Sequence, residues 1–177
     1  MKTLTLLRHA KSAWDDPVER DFDRPLNGRG RRAASRIGRW LRDEAVTFDH
    51  IVASPALRVR QTIEGVEDGI GHSLNTLFDA RIYLASSVTL LEVIQRFDAG
   101  AARALLIGHN PGLEDLLLAL TPPAGPLRAE AEVKYPTATV AMLALSAERW
   151  SDVTDGSATL THFIRPRDLD PTLGPDD

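Results

Sequence analysis

Two histidines and two arginines in this sequence have the residue types and the positions for phosphoryl chemistry. They are Arg8, His9, Arg58 and His109. A neutral imidazole can attack phosphorus directly, while guanidinium groups and a second imidazole can neutralise the phosphoryl oxygens. No carboxylate or cysteine cluster accompanies the four residues, and arginines would repel a metal cation. We therefore expect a site for a phosphoryl dianion, with no metal and no cofactor.

All four residues follow short apolar runs that are typical of strands buried in a parallel sheet. The runs cover residues 4–7, 51–53 and 104–107. Arg8 and His9 come directly after the first run. Arg58 lies in the first turns of a helix after the second run, and His109 lies just beyond the third. Ligands of open α/β sheets bind beyond the carboxyl ends of the strands, so we expect these side chains to meet at one edge.

Four predicted helices begin at residues whose side chains can cap the first turn. These residues are Asn27, Ser54, Ser86 (or its neighbour Ser87) and Asn110. Ser54 and Asn110 are each followed by a proline, which suits the first helical position. We therefore predict that a helix follows each of these caps.

The helix that begins after Asn27 carries many basic residues. We expect it to continue to about Ala45, with an apolar face at Ala33, Ile37 and Leu41. Six arginines lie mostly off that face: Arg29, Arg31, Arg32, Arg36, Arg39 and Arg42. They spread around the polar surface with no aromatic residues between them to stack bases. We interpret them as a solvated face and expect no nucleic-acid partner.

Strands and helices alternate along the chain, with two further strands predicted over residues 137–145 and 158–164. Residues 121–136 have no period and are interpreted as a long loop, either a cover for the site or a plain surface connection. The pattern predicts a three-layer α/β/α sandwich with a mostly parallel central sheet. We expect one domain over residues 1–166 and a frayed tail over residues 167–177.

The composition is that of an ordinary globular chain of 177 residues, with a formal net charge of −4 and no cysteine. The negative charge gives no general attraction to nucleic acid or to an anionic membrane. No apolar run reaches the roughly 18 residues that span a bilayer, and the N-terminus lacks the features of a signal peptide. Without cysteine there are no disulfides and no thiolate metal site. We expect a cytoplasmic protein with no membrane partner.

Three blocks of the sequence resemble one known family. Leu-Leu-Arg-His-Ala-Lys at 6–11 resembles the Arg-His-Gly signature of the histidine phosphatase (phosphoglycerate mutase-like) superfamily. Ser-Pro-Ala-Leu-Arg-Val-Arg-Gln-Thr at 54–62 resembles the second block of that family, and Gly-His-Asn-Pro-Gly at 108–112 resembles the third. Their order and spacing agree, and the resemblance extends from about residue 3 to residue 164. It implies the phosphoglycerate mutase-like fold.

The resemblance also implies a role for each matching position. His9 matches the nucleophile that becomes phosphorylated, and His109 matches the second histidine that faces the phosphoryl group. Arg8 and Arg58 match the arginines that bind the phosphate. The activity implied is that of a phosphohydrolase working through a phosphohistidine intermediate.

A closer likeness is to the SixA group of phosphohistidine phosphatases. It is carried by Ala10, by the short chain and by Arg-Pro-Leu at 24–26. Arg24 matches a basic contact of the SixA-like loop, although its charge alone fits a solvated surface arginine equally well. Arg24 lies in a charged, turn-rich segment, residues 15–25, that we expect to cover the strand end. We expect Arg24 and Ser12 to bind substrate.

The sequence departs from many members of the superfamily in one respect, the acidic residue that protonates a leaving oxygen. Between Leu77 and Glu92 the only acids are Asp79 and Glu92 itself, and neither has a matching context. The imidazole of a phosphohistidine is a better leaving group than an alkoxide, so the missing acid fits phosphohistidine on a signalling protein as the substrate. A phosphatase for a small phosphorylated metabolite and a non-catalytic phosphate-binding module are the alternatives.

Overall fold

The computed structural model describes residues 1–15, 17 and 20–175. Within these residues, one sheet has six strands: β1 (Lys2–Arg8), β2 (His50–Ala53), β3 (Thr76–Phe78), β4 (Arg103–Gly108), β5 (Val140–Leu145) and β6 (Ala158–Ile164). The strand order is β3-β2-β4-β1-β5-β6. Strands β1 to β4 are parallel, β5 pairs antiparallel with β1, and β6 pairs antiparallel with β5.

Helices cover both faces of the sheet. They are α1 (Gly28–Asp43), α2 (Leu57–Ile70), α3 (Ser87–Ile94), α4 (Gly112–Leu120), α5 (Pro126–Val133) and α6 (Pro166–Leu169). Side chains of a strand alternate between the two faces. In β4, Leu105 and Ile107 join the core under α1 and α2, while Leu106 joins the core under α3 and α4. The predicted three-layer α/β/α sandwich with a mostly parallel sheet is therefore confirmed. None of the helices in the described part of the chain is long and apolar enough to cross a membrane.

Two of the four predicted helix caps are confirmed. The Asn27 side chain accepts a hydrogen bond from Gly30 N over 2.8 Å at the start of α1. The Ser86 hydroxyl accepts one from Thr89 N over 3.3 Å at the start of α3.

The cap predictions at Ser54 and Asn110 are wrong. Helix α2 begins at Leu57 after Ala56, and α4 begins at Gly112 after a proline. Both polar residues lie in the turns that connect strand to helix, where their side chains serve other contacts. The Ser54 hydroxyl pairs with a histidine ring, and the Asn110 amide donates to a carbonyl of a distant loop while its oxygen accepts from Glu114 N.

The predicted loop over residues 121–136 contains a helix, α5. It begins at Pro126, which suits a first helical turn, and its buried residues are Arg128 and Ala131. Because one buried residue is an arginine, the helix leaves no apolar period in the sequence. Of the two alternatives for this segment, the structure favours a surface connection over a cover for the site, since none of residues 121–136 lines the cavity described below.

The C-terminal segment differs from the frayed tail that the sequence predicts. Residues 166–175 are described and include α6 and a turn of 3₁₀ helix, Pro171–Leu173. Leu173 is buried in the core beneath α1, and Arg29 donates to its carbonyl over 3.2 Å from Nε. One apolar side chain and a partner on α1 hold the segment, a contact that local composition does not reveal. Residues 176 and 177, the end of the predicted tail, lie outside the described residues.

Helices α1 and α2 pack closely through glycines. A methyl group added at Gly69 would overlap the carbonyl oxygen of Ser35, and one added at Gly38 would overlap that of Val66. Glycine at these two positions lets the helix backbones touch. The close contact fixes α2 against α1, and α2 carries Arg58 to the end of the sheet.

Candidate active site

The carboxyl ends of three neighbouring strands bring the two histidines together. Arg8 in β1 is in register with Gly108 in β4, so the residues that follow them lie side by side. His9 N donates to the Gly108 carbonyl over 3.0 Å, and the rings of His9 and His109 have centroids 5.3 Å apart. On the other side of β4, Ser54 N donates to the Ile107 carbonyl over 3.1 Å.

A cavity of about 480 Å³ opens at this edge. All six residues that the sequence predicts for the site line it: Arg8, His9, Ser12, Arg24, Arg58 and His109. Lys11, Trp14, Asp21, Leu84, Asn110 and Thr137 complete the lining. The structure thus brings the predicted set together in one place.

His9 is held as a neutral ring, with one nitrogen that no described residue hydrogen-bonds. Its Nδ1 lies 2.7 Å from the Ala10 carbonyl oxygen, which can only accept, so Nδ1 carries the proton and Nε2 does not. Burial lowers the pKa of His9 well below its usual value, against the opposing effect of the Ala10 carbonyl, and nearby His109 and Arg8 lower it further. Nε2 is therefore available as a nucleophile at neutral pH.

His109 is the opposite tautomer of the imidazole. Arg58 has no acceptor, so its Nη2 donates to His109 Nδ1 over 3.3 Å. The proton must then sit on Nε2, which lies 2.7 Å from the Ser54 hydroxyl and donates to it. Burial, and then the positive charge of Arg58, lower the pKa of His109 to about 3. Both ring nitrogens of His109 are thus engaged within the protein.

Arg58 and Arg8 are positioned by backbone and side-chain contacts. Arg58 lies in the first turn of α2 and is 2% exposed. Its carbonyl accepts from the Thr62 hydroxyl over 2.7 Å, and the same hydroxyl accepts from Ala10 N over 2.9 Å. This link ties α2 to the loop that holds His9. Arg8 donates from Nη1 to the Tyr135 carbonyl over 2.9 Å.

Arg24 reaches the cavity from a surface segment. It follows a turn of 3₁₀ helix, Asp21–Asp23, in the predicted 15–25 segment, of which residues 16, 18 and 19 lie outside the described residues. Its guanidinium donates to the Ser12 hydroxyl and to Asp21, and stacks 3.6 Å from the Trp14 ring centroid. Although its charge alone fits a solvated arginine, Arg24 is buried.

Three residues that make hydrogen bonds at this site were not predicted from the sequence: Asp21, Ser54 and Tyr83. Asp21 accepts hydrogen bonds from Arg24, Arg58 and Tyr83, and Ser54 accepts from His109. Ser54 lies within the second family block, which was a usable signal. Asp21 and Tyr83 are 62 positions apart and carry no local pattern, so only the fold shows that they meet.

The two acids considered as proton donors lie elsewhere. Asp79 caps a 3₁₀ turn and pairs with Arg81 over 2.6 Å, and Glu92 is exposed on α3. Among the described residues that line the cavity, Asp21 is the only carboxylic acid. No described group of histidines and carboxylates is arranged to hold a metal ion.

The chain is similar to several known proteins. The chain is 37% identical to the uncharacterized protein Rv1276c of Mycobacterium tuberculosis, over 91% of this chain and 100% of that protein. It is 27% identical to phosphohistidine phosphatase SixA of Escherichia coli, over 66% of this chain and 73% of that protein. A solved structure from Agrobacterium tumefaciens, provisionally named phosphohistidine phosphatase SixA, matches with a TM-score of 0.77 at 32% identity, over 93% of this chain and 98% of that chain.

The family assignment also has direct sequence support. Residues 4–81, which hold the first two of the three blocks, match the histidine phosphatase superfamily (branch 1). The matches to the relatives extend this agreement over nine-tenths of the chain. The resemblance found in the three blocks is confirmed: the chain belongs to the histidine phosphatase superfamily and is a phosphohydrolase.

Proposed function

We propose that this phosphatase works without a metal, through a phosphoryl group carried on His9, and that its substrate is phosphohistidine on a protein. One observation carries the proposal. No described residue makes a hydrogen bond to His9 Nε2, which lies in a cavity whose wall also holds the guanidinium groups of Arg8, Arg24 and Arg58. Such an arrangement binds a phosphoryl dianion beside a nucleophile.

The proposed reaction has two transfers. In the first, His9 Nε2 forms a bond to phosphorus while the phosphorus–nitrogen bond of the substrate breaks, and the released imidazole nitrogen takes a proton from water. In the second, a water oxygen forms a bond to phosphorus while the bond to His9 breaks. The water loses a proton, and the products are inorganic phosphate and neutral His9. The Ala10 carbonyl keeps its hydrogen bond to Nδ1 and stabilises the positive ring of the intermediate.

His109 is proposed to assist by changing its protonation state. A phosphoryl dianion beside the ring would raise the pKa of His109, which is about 3 in the structure. Nδ1 would then take a proton and donate to a phosphoryl oxygen, while Nε2 keeps its bond to Ser54. The positive charge would thus develop only when the phosphoryl group is in place.

The shape and chemistry of the cavity favour a protein-borne phosphohistidine. The only described lining acid, Asp21, is ionised, so no described carboxylic acid is placed to protonate an alkoxide. Two large apolar side chains of the cavity lining are exposed to solvent, Trp14 at 79% and Leu84 at 56%, and could contact a protein that carries the phosphohistidine. The three arginines in the wall would repel a cation, which supports the metal-independent reaction. The cytoplasmic location stays a prediction from the sequence.

The test measures phosphate release from a phosphohistidine-bearing protein and from p-nitrophenyl phosphate, each with and without a chelator. Wild type and His9→Ala are compared, with His72→Ala as the matched control because His72 is exposed and outside the cavity. We expect chelator-resistant turnover in wild type and His72→Ala, no turnover in His9→Ala, and higher kcat/KM with the phosphoprotein. Full activity of His9→Ala would contradict the mechanism. A higher kcat/KM with the small ester would favour a metabolite phosphatase.

A further inference from the structure

Asp21 makes contacts at the site that the proposed mechanism does not use. Its Oδ1 accepts from Arg24 Nη2 over 2.7 Å, and its Oδ2 accepts from Arg58 Nη2 over 3.0 Å and from the Tyr83 hydroxyl over 2.7 Å. Its carbonyl accepts from Arg58 Nη1 over 2.9 Å. One aspartate therefore joins two of the three arginines in the cavity wall.

The carboxylate of Asp21 is not a proton donor. Partial burial alone would raise the pKa of Asp21, but the hydrogen bonds from Arg24, Tyr83 and Arg58 outweigh it and hold the pKa far below its usual range. The Tyr83 hydroxyl faces the same oxygen, and burial together with the Asp21 charge raises the pKa of that phenol. The pair therefore consists of an ionised acid and a neutral phenol at neutral pH.

Asp21 uses donors that a phosphoryl group also needs. Arg58 is almost fully buried and has five N–H donors, of which two point at Asp21 and one at His109. Its Nε has no hydrogen-bond partner among the described residues. Every donor held by the carboxylate is one that phosphate must share or take over. The carboxylate also repels an incoming dianion.

The balance of charges in the cavity wall means that this competition should affect how tightly phosphate binds. The described lining side chains include four basic groups, Arg8, Lys11, Arg24 and Arg58, and one acidic group, Asp21. Without Asp21, the described wall would have no acidic side chain to offset its positive charges. Inorganic phosphate is the product of the proposed function, and a site that binds its product too tightly turns over slowly.

We propose that Asp21 is a resident counter-ion of the phosphate site: it orients Arg24 and Arg58 and weakens the binding of phosphate, so that the product leaves. The inference rests on the proposed function, because it takes the arginine cluster to be the phosphoryl site. It assigns Asp21 as a positioning residue and not as a catalytic acid. Tyr83 holds the counter-ion in place through its hydroxyl.

The test is the affinity of the full-length protein for inorganic phosphate, measured by calorimetry without turnover. Asp21→Asn removes the charge and keeps an oxygen for Arg24. Asp23→Asn is the matched control, because Asp23 is two residues away and pairs only with the exposed Arg20 in the described structure. We expect Asp21→Asn to bind phosphate about tenfold more tightly, the effect of removing one close charge from a partly exposed site. Asp23→Asn should match wild type.

Two further variants separate the effect of the Asp21 charge on phosphate affinity from any structural damage caused by one substitution. Asp21→Ser also removes the charge and should tighten phosphate binding, whereas Asp21→Glu restores the charge and should return the affinity toward wild type. Unchanged or weaker binding in both uncharged variants would overturn the counter-ion role, since an aspartate that only orients the arginines gives that result. Absence of phosphate binding by wild type would contradict the phosphate site itself, and with it both proposals.

Discussion

The Arg58 guanidinium donates a hydrogen bond to Nδ1 of His109 over 3.3 Å, with both groups buried at the end of the sheet. A cation can donate to an imidazole only when the imidazole is neutral at that nitrogen. The contact therefore fixes the His109 tautomer and, with burial, holds its pKa near 3. A phosphoryl dianion that draws Arg58 toward itself would release Nδ1 to accept a proton.

Replacing Ser54 should disturb this arrangement from the other side of the ring. In Ser54→Ala the Nε2–H of His109 loses its acceptor in a fully buried place. We expect kcat to fall about tenfold, because an unsatisfied buried donor costs roughly 1 to 3 kcal/mol. Steady-state kinetics with a small phosphodonor measures this. Ser86→Ala, at the exposed cap of α3, should leave kcat unchanged; an equal loss in both variants would contradict the assignment.

Because the pKa of His109 is low in the folded protein, the free energy of unfolding should decrease as the pH is lowered. Between the unfolded pKa of about 6.5 and the folded pKa of about 3, the unfolded chain binds a proton at this residue that the folded chain does not. The free energy of unfolding should therefore fall as the pH falls through this range, by up to about 1.4 kcal/mol per pH unit for one histidine. Denaturant unfolding of wild type and His109→Gln between pH 7.5 and pH 4.5 measures the difference.

The two pH profiles must differ in slope for this interpretation to hold. His109→Gln should lose acid sensitivity equivalent to one proton and keep the part that is due to His9, whose pKa is also lowered by burial. Above pH 7 the difference between the variants should be constant. Parallel profiles down to pH 4.5 would mean that His109 titrates normally in the folded protein.

Removing Arg24 should weaken substrate binding. Its guanidinium is held against the cavity by Ser12, Asp21 and the Trp14 ring. We expect Arg24→Ala to raise KM for a small phosphodonor roughly tenfold, with a smaller change in kcat, because a charge-assisted contact to phosphate is lost. Arg20→Ala serves as control, since Arg20 is exposed and pairs with Asp23. An unchanged KM in Arg24→Ala would mean that Arg24 does not bind the substrate.

The contact between α1 and α2 predicts a stability effect with no direct role in chemistry. A methyl group at Gly69 would overlap the Ser35 carbonyl oxygen. Gly69→Ala should lower the free energy of unfolding by about 2 kcal/mol, because overpacking outweighs the roughly 1 kcal/mol that alanine gains in a helix. Gly28→Ala is the control, since its methyl group would meet only the Arg32 guanidinium at 3.5 Å. Equal free energies of unfolding for the two variants would contradict this prediction, since they would mean that α1 and α2 can move apart without loss of stability.

The strand ends were the predictable part of this site. Apolar runs that end just before Arg8, Ser54 and Gly108 indicate parallel strands, and parallel strands place the residues that follow them at one edge of the sheet. The hydrogen bonds that set the chemistry were not predictable in this way. Asp21 meets Arg58 and Tyr83 only through the fold, and no period in the sequence reports such a contact.

The misplaced elements have similar physical causes. Helix α5 buries Arg128 in place of an apolar residue, so its sequence resembles a loop. The C-terminal segment is held by Leu173 and by an arginine of α1 more than 140 positions away. A helix that carries its own apolar face, such as α1, can be predicted from the local sequence. An element that is stabilised by a distant partner cannot be predicted in this way.

In the proposed mechanism, His9 accepts the phosphoryl group from the substrate. The most direct measurement is to mix wild type, His9→Ala and His72→Ala with a ³²P-labelled reactive phosphodonor, quench within milliseconds, and locate the label. We expect an acid-labile, base-stable adduct on His9 in wild type and His72→Ala and none in His9→Ala. Label on another residue, or turnover by wild type with no trapped adduct on His9 at any time, would contradict it.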